Sequence, residues 1–372
     1  MEVETMGEAL RSMKVWSKQE LQKLRTKSVA WYREHKRELP WRKTNDAYSV
    51  WVSEIMLQQT QVATVIPYFH RFMEEFPTVE DLARAEEERV LFHWAGLGYY
   101  RRAKQMHAAA KLIVAKHGGI FPSDYDQIIS LPGIGRYTAG AIRSFAFDLP
   151  SPIVEANTQR IYARLLKLKG QLTDTKIQSE LWNFATAILP TKTGSGDTNQ
   201  ALMEIGSQIC LPKNPLCLVC PFREMCPTYE SGEQSEIPSP KPAKIYEDRT
   251  EAALLINHSK KGYLVRFCLP GERWAGLWDF PRFDVSILAP GESIEESLQA
   301  QFFSKYALEI EVRSLLSSIK HGVTKYRITL HCFEATLSPK SRPDKVGLAW
   351  RTSQELATLP LSSTGKRLCK QL

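Results

Sequence analysis

A chain of 372 residues, 43% hydrophobic and 24% charged, is long enough for two or three ordinary domains and has the composition of a soluble globular protein. No apolar run approaches the ~20 residues of a membrane-spanning helix, and the opening MEVETMGEALRSMKVWSKQE lacks the apolar stretch of a signal peptide, so neither a span nor a secretory leader is expected. The net charge of +8 and the pI near 9.0 fit a polyanionic partner.

In chain order, the stretch from Trp16 to about Leu211 reads as helical. VWVSEIMLQQTQVATVIPYFHRFMEEF, residues 50–76, carries apolar residues at helical spacing and is expected as a helix ending before Pro77. TVEDLARAEEERVLFHWAGLG follows, with Thr78 as its N-cap and glycines at its end. The next helix, YYRRAKQMHAAAKLIVAKHGG, closes on Gly118 and Gly119. IVEANTQR, residues 153–160, opens a further helix with one carboxylate, Glu155. A carboxylate there is either catalytic or simply the acid that a helix start favours. Asp148, in FAFDLP, is a nearby carboxylate on an expected loop.

Residues 228–249, rich in Ser, Pro, Glu and Lys, read as a linker. Beyond them the pattern changes. EAALLINHSKKGYLVRF predicts a hairpin with a Lys-Gly turn, ESIEESLQAQFFSKYAL an amphipathic helix, and YRITLHCFEATL a strand. A smaller α+β domain is therefore expected over 250–372, after a mainly α domain over 1–227. Positive charge is denser there: residues 251–372 hold 17 Lys and Arg against 12 Asp and Glu, compared with 32 against 29 in residues 1–250.

Three stretches carry chemistry. CLPKNPLCLVCPFREMC places four of the seven cysteines, Cys210, Cys217, Cys220 and Cys226, within one short loop. An odd total with this clustering is not a disulfide framework. It is a metal or cluster site in a reducing compartment, and the spacing alone leaves zinc and an iron–sulfur cluster open. In LPGIGRYTAGAI, residues 131–142, Gly133 and Gly135 let backbone approach a partner and turn N–H groups outward at a helix start. A plain tight turn between helices is the alternative. In SEIMLQQTQVATV the amides of Gln58, Gln59 and Gln61 lie beside Glu54 on one expected helix. They suit hydrogen bonds to base edges, or an ordinary polar face.

Taken together with LPWR, WAGLGYYRRA and the four-cysteine loop, in this order, these stretches resemble the MutY-type adenine DNA glycosylases of the helix-hairpin-helix, iron–sulfur superfamily. The resemblance runs from residue 16 to about 360, closely in the N-terminal part and more loosely beyond the linker. It implies a helix-hairpin-helix glycosylase domain with a [4Fe–4S] cluster on the four cysteines, followed by a Nudix-like domain. It also implies excision of adenine mispaired with 8-oxoguanine or guanine, through flipping of the base out of the duplex.

By the same resemblance, Glu54 protonates adenine at N7, which requires a carboxyl protonated near neutral pH and so partly desolvated. The second carboxylate faces the developing oxocarbenium ion. The family carries Asp in a V-D-G-N-V frame, whereas this chain has V-E-A-N-T, so Glu155 takes the Asp position, Ala156 replaces Gly and Asn157 is kept. Glutamate keeps the charge but reaches roughly 1.5 Å further, and a misplacement of ~1 Å can lower a rate ~100-fold. Tyr137 stands where bifunctional relatives carry a nucleophilic lysine, so no strong strand cleavage is expected, and it is expected to orient Glu54.

Arg37, Trp41, Leu57, Gln200 and Met203 match positions around the flipped adenine. Tyr99 matches a wedge that enters the base stack and Gln58 a second insertion, with Gln59 and Thr60 of the same motif assigned to DNA contact. GLWDFPRF marks the Nudix-like domain, but the glutamate-rich R-E-x-x-E-E box is missing, so no pyrophosphatase activity is expected. In KHGVTKYRITL, Val323, Thr324 and Lys325 stand where the family reads 8-oxoguanine with F-S-H. Thr324 keeps a hydroxyl, and Lys325 offers a phosphate a permanent charge. The expected partner is double-stranded DNA with an A:8-oxoguanine or A:G mispair, bound by a monomer in the cytoplasm of a prokaryote, with a nuclear address left open. The competing readings are a glycosylase for thymine or uracil in mismatches, a mismatch-binding protein that has lost catalysis through the Asp-to-Glu change, and a zinc-binding helical protein.

Overall fold

A computed structural model describes residues 13–240, 244–339, 341 and 347–372. The chain forms two compact units that do not follow chain order. One is built from the chain up to Arg84 and from Gln105 to Pro242, the other from Ala85–Lys104 and from Ala243 onward.

In the first unit, α1 (Lys18–His35) starts at a capping box of Ser17 and Glu20. A 3-10 turn at Pro40–Arg42 leads to α2 (Ala47–Leu57), whose residues from Ala47 to Met56 are all buried. A helix buried on every side is part of the core, and Glu54 lies within it. The pattern expected as one helix over residues 50–76 is two, because α2 stops at Leu57 and α3 spans Val62–Glu75. Gln59 turns the chain at φ +56. Continued helix would carry Gln58, Gln59, Thr60 and Gln61 into the core, whereas the turn leaves Gln59 and Gln61 exposed. The amides therefore sit at the mouth of a turn, not along one helix with Glu54.

The following pattern also divides, into α4 (Val79–Arg84) and α5 (Glu87–Trp94). Thr78 does cap α4, its hydroxyl accepting from the Asp81 N–H. Helix α6 covers Arg101–His117. A hairpin joins α7 (Tyr125–Ile129) to α8 (Arg136–Phe147). Asp148 is a structural residue: it ends α8 in the left-handed conformation and accepts the Gly194 and Gly196 N–H groups at 2.7 and 2.9 Å. Those groups open α11 (Ser195–Gln208), which follows α9 (Ala156–Leu166) and α10 (Thr175–Ile188). Ile161, Tyr162, Leu165, Leu181, Phe184, Leu202 and Ile205 join these helices in one core.

The stretch expected as a linker is only partly one. Residues 227–230 form α12, Ile237 is wholly buried in the same core, and Arg164 donates to the carbonyls of Gln234 and Ile237, both at 2.8 Å. A lone Ile among Ser, Pro and Glu is enough to anchor a segment that composition alone marks as free.

In the second unit, β1 (Glu247–His258) and β2 (Gly262–Phe267) form the expected hairpin. The sheet order is β3-β2-β1-β6-β5, with β3 Trp278–Asp279, β5 Ile310–Val323 and β6 Tyr326–Leu337; β4 (Arg282–Asp284) pairs with β1 and β7 (Leu348–Arg351) with β2. Strands β1 and β6 are parallel, the other pairs antiparallel. Alternate β1 residues serve two cores. Ala252, Leu254 and Ile256 pack with Leu298 and Phe302 of α13 (Ile294–Tyr306), while Ala253 and Leu255 pack with Leu356 of α14 (Ser353–Thr358) and Leu368 of α15 (Ser363–Cys369). Burial of both faces explains the continuous apolar run in β1. Among the described residues no helix is long and apolar enough to cross a membrane.

Candidate active site

One cavity of about 680 Å³ in the first unit gathers Glu54, Glu155, Tyr137 and Asn157 with Arg37, Trp41, Leu57, Gln58, Gln59, Thr60, Gln200 and Met203. Each element contributes for a local reason. Helix α2 holds Glu54 at 4% exposure, because its helix is surrounded by core. Burial pushes the Glu54 carboxyl up to about 7; the Tyr137 hydrogen bond opposes this and the Glu155 charge adds to it. The Tyr137 hydroxyl, on the first turn of α8, donates to Glu54 Oε2 at 2.6 Å and has its own pKa raised by burial, so it stays a donor.

Glu155 is both cap and wall. It is the N-cap of α9, its carboxylate accepting the N–H groups of Asn157 and Thr158, both at 2.9 Å, and Asn157 Nδ2 at 3.3 Å. In return the Glu155 N–H donates to the Thr158 hydroxyl at 2.8 Å. Burial raises the Glu155 pKa, while the two backbone N–H groups and Arg160 favour the anion. Two carboxyls thus share one cavity in different settings: Glu54 near neutral titration without backbone donors, Glu155 held by amides at a positive helix end.

Helix α11 supplies Gln200 and Met203, and one residue not anticipated from sequence, Glu204. Its side chain is 1% exposed and is gripped by Arg37 through Nε at 2.6 Å and by Arg42 through Nη2 at 2.8 Å. Burial pushes its pKa up, but these guanidiniums outweigh that and hold it at about 2, fully ionised. Gln200, Met203, Glu204 and Ser207 all line the cavity at helical spacing, so the period that carries Gln200 and Met203 was also the signal for Glu204. Tyr32 was missed too; its hydroxyl donates to Gln200 Oε1 at 2.9 Å. Trp41 is buried against Phe69, edge to face at 5.4 Å.

Close packing keeps α9 and α11 in register. A Cβ on Gly206 would lie 2.7 Å from Asn157 Cβ and 2.9 Å from its carbonyl oxygen. Arg160 ties the same place together, donating to Asn157 Oδ1 at 3.0 Å and to the Gly206 and Cys210 carbonyls.

Gly133 and Gly135 are not part of the cavity. Gly133 turns the α7–α8 hairpin at φ +79, where a Cβ would lie 2.8 Å from Gln105 Cβ. Gly135 is the exposed N-cap of α8, with open space where a side chain would be.

The four cysteines Cys210, Cys217, Cys220 and Cys226 line one void of about 30 Å³ beside Arg164 and Phe222. Arg164 is 3% exposed and donates to Cys210 Sγ at 3.2 Å and to the Leu211 carbonyl at 2.8 Å. A buried guanidinium held by carbonyls and a sulfur suits an anionic neighbour such as thiolates on iron. Among the described residues no group of three or more His, Cys, Asp or Glu is gathered as a single metal ion requires.

Tyr99, Val323 and Thr324 line a second cavity, of about 650 Å³, that lies wholly in the second unit with Trp274, His321 and Arg367. Tyr99 is 54% exposed. Thr324 tips the β5–β6 hairpin at φ +53. Lys325, expected as a phosphate partner, forms an ion pair with Glu247 at the start of β1.

Residues 52–186 match the model of the HhH-GPD superfamily base excision DNA repair proteins, and residues 252–371 match that of the NUDIX domain. The chain is 38% identical over 254 residues to the adenine DNA glycosylase of Buchnera aphidicola from Acyrthosiphon pisum, covering 68% of this chain and 72% of that one. It is 31% identical over 398 residues to the adenine DNA glycosylase of Homo sapiens, covering 91% and 72%, and 32% identical over 389 residues to that of Schizosaccharomyces pombe, covering 86% and 83%. Among solved structures, a thermostable thymine-DNA glycosylase aligns with a TM-score of 0.52 and 27% identity over 57% of this chain and 97% of its own. A non-covalent endonuclease III–DNA complex aligns with 0.50 and 21% over 59% and 99%, a likeness of fold. The chain belongs to the adenine DNA glycosylase family, base excision repair enzymes that hydrolyse the N-glycosyl bond of adenine.

Proposed function

We propose that this protein excises adenine mispaired with 8-oxoguanine or guanine, leaving an abasic site without cleaving the strand. The observation that carries the reading is the pair of unequal carboxyls, Glu54 and Glu155, on one cavity. A cavity of about 680 Å³ has room for a flipped purine nucleoside. Glu54, with a pKa of about 7, has a proton to give at neutral pH. It protonates adenine N7 as the bond between C1′ and N9 breaks and its electron pair leaves with the base. Glu155, whose two backbone N–H donors oppose the upward pull of burial on its pKa, is the carboxylate set opposite the cationic sugar. Water then adds at C1′ and returns a proton to Glu54. Tyr137 orients Glu54, and no lysine takes its place as a sugar nucleophile.

Around this centre, Trp41, Leu57 and Met203 give the base its apolar contacts, while Gln200 and the Arg37–Glu204 pair offer polar edges to the adenine. The α7–α8 hairpin, with Gly135 open at the start of α8, receives a phosphate. Gln58 and Tyr99 enter the duplex, and the β5–β6 hairpin of Val323, Thr324 and Lys325 meets the opposite base. Cys210, Cys217, Cys220 and Cys226 would hold a [4Fe–4S] cluster, a reading supported by four thiols that line one void beside the buried Arg164; a bound cluster would tie down the loop that follows α11.

Base release from four duplexes tests the reading: A opposite 8-oxoguanine, A opposite G, A opposite T, and T opposite G. Release from the first two is expected. Release from T opposite G, or binding without release, would replace it with a thymine glycosylase or a mismatch reader.

A further inference from the structure

Tyr99 is held in an unfavourable backbone conformation. It has φ +47, a region that costs a bulky L-residue energy, and its ring is half exposed. Such strain persists only where the surroundings over-determine it. The turn before α6 shows how. Gly96 and Gly98 also have positive φ, at +119 and +71. The Trp94 indole donates to the Gly98 carbonyl at 3.1 Å, and the Tyr100 hydroxyl accepts from the Gly96 N–H at 3.3 Å.

Arg102 completes the frame. Its Nη2 donates to the carbonyls of Leu97 and Gly98, both at 3.3 Å, and its guanidinium lies 5.6 Å from the centre of the Tyr99 ring and 5.3 Å from that of Trp94. Its backbone N–H donates to the Tyr99 carbonyl at 2.9 Å. The position is a poor one for a cation. It is in the first turn of α6, where the helix dipole disfavours positive charge, and burial brings the Arg102 pKa down to about 10. Both penalties fall on a group that spans the strained turn and lies near the half-exposed Tyr99 ring.

From this geometry we propose that Arg102 is a positioning residue, which fixes the turn of residues 96–99 and braces Tyr99 from below so that its ring is presented to the base stack before DNA arrives. The inference rests on Tyr99 being the wedge. A preset ring enters the duplex without ordering a loop on binding, so the gain falls on mismatch binding and commitment to base flipping and not on bond cleavage. Lysine would keep a charge and could donate to both carbonyls from one ammonium, as Nη2 does, but it lacks the planar guanidinium that lies near the Tyr99 and Trp94 rings.

The test uses the full chain and a duplex in which 2-aminopurine flanks the base opposite the target adenine, so that entry of a side chain raises fluorescence. Tyr99→Ala, Arg102→Met, the double variant and Arg102→Lys are compared in fluorescence, binding and single-turnover adenine release. Arg102→Met is expected to lose the fluorescence rise and weaken binding about tenfold, the size of a cation–π contact with its carbonyl anchors. Arg102→Lys is expected to fall between it and the parent. The double variant is expected to match Tyr99→Ala alone, because both changes remove one device. A merely structural arginine would instead give additive losses, or a full fluorescence rise in Arg102→Met, and either result overturns the proposal. If Arg102→Met melts well below the parent, Arg102→Lys replaces it in the cycle with the same criteria. Should Tyr99→Ala itself keep the rise and the binding, the wedge reading fails and this inference with it, an outcome distinct from failure of Arg102 alone.

Discussion

The Tyr137 hydroxyl donates to Glu54 Oε2 at 2.6 Å inside a cavity that also holds Glu155. This bond favours the ionised form of Glu54, against burial and against the second carboxylate. With Glu54 as the proposed acid, adenine release is expected to be flat at lower pH and to fall about tenfold per pH unit above about 7. Tyr137→Phe removes the donor that stabilises the Glu54 anion and is expected to move that limb to higher pH while lowering the plateau. Single-turnover pH profiles of both proteins measure it; an unmoved limb would mean that the titrating group is not Glu54.

Glu54 also loads the fold. Its folded pKa of about 7 lies above its ordinary 4.5, so its contribution is whole below pH 4.5 and is lost as pH rises through 7. Burying the anion then opposes folding by up to about 3 kcal/mol. Glu54→Gln is expected to be more stable than the parent at pH 8 and nearly equal to it at pH 4, as read by urea unfolding at the two pH values. Equal stability at both would contradict the buried setting.

Gly206 is expected to be a sensitive position for activity although it has no side chain. Gly206→Ala places a methyl 2.7 Å from Asn157 Cβ, so the start of α9 must shift and carry Glu155 with it. A shift of a few tenths of an ångström lowers release by roughly tenfold to 100-fold, with the protein still folded by circular dichroism.

Loss of the cluster ligands is expected to act through Arg164. Cys217→Ser or iron chelation should bleach visible absorbance and destabilise the first unit by about 3 kcal/mol, since a buried guanidinium loses its anionic neighbour. A colourless parent with bound zinc would contradict the cluster.

Much of the site was legible from one strand of text because its residues come in short local motifs. Glu54 with its amides, Tyr137 after the hairpin, and Glu155 with Asn157 each sit within a few positions of their markers. What was not legible depends on distant packing. Glu204 reads as a solvated acid until Arg37 and Arg42, more than a hundred residues earlier, are seen to close on it. The break after Leu57 depends on α2 being buried on all sides, which periodicity within the segment does not reveal. The anchoring of residues 228–240 rests on Ile237 and the reach of Arg164. Glu155 is a helix cap, and the hydrogen bonds that make it one also place its carboxyl on the cavity, so capping is compatible with the catalytic role proposed for it.

In the proposed mechanism two unequal carboxyls divide the work. Single-turnover adenine release from a duplex with A opposite 8-oxoguanine, measured for the parent, Glu54→Gln and Glu155→Gln with binding followed in parallel, tests it most directly. Release by the parent is expected, and tight binding with release lowered at least 100-fold in both variants. Release by Glu155→Gln at the parental rate would reduce Glu155 to a helix cap and contradict its catalytic role.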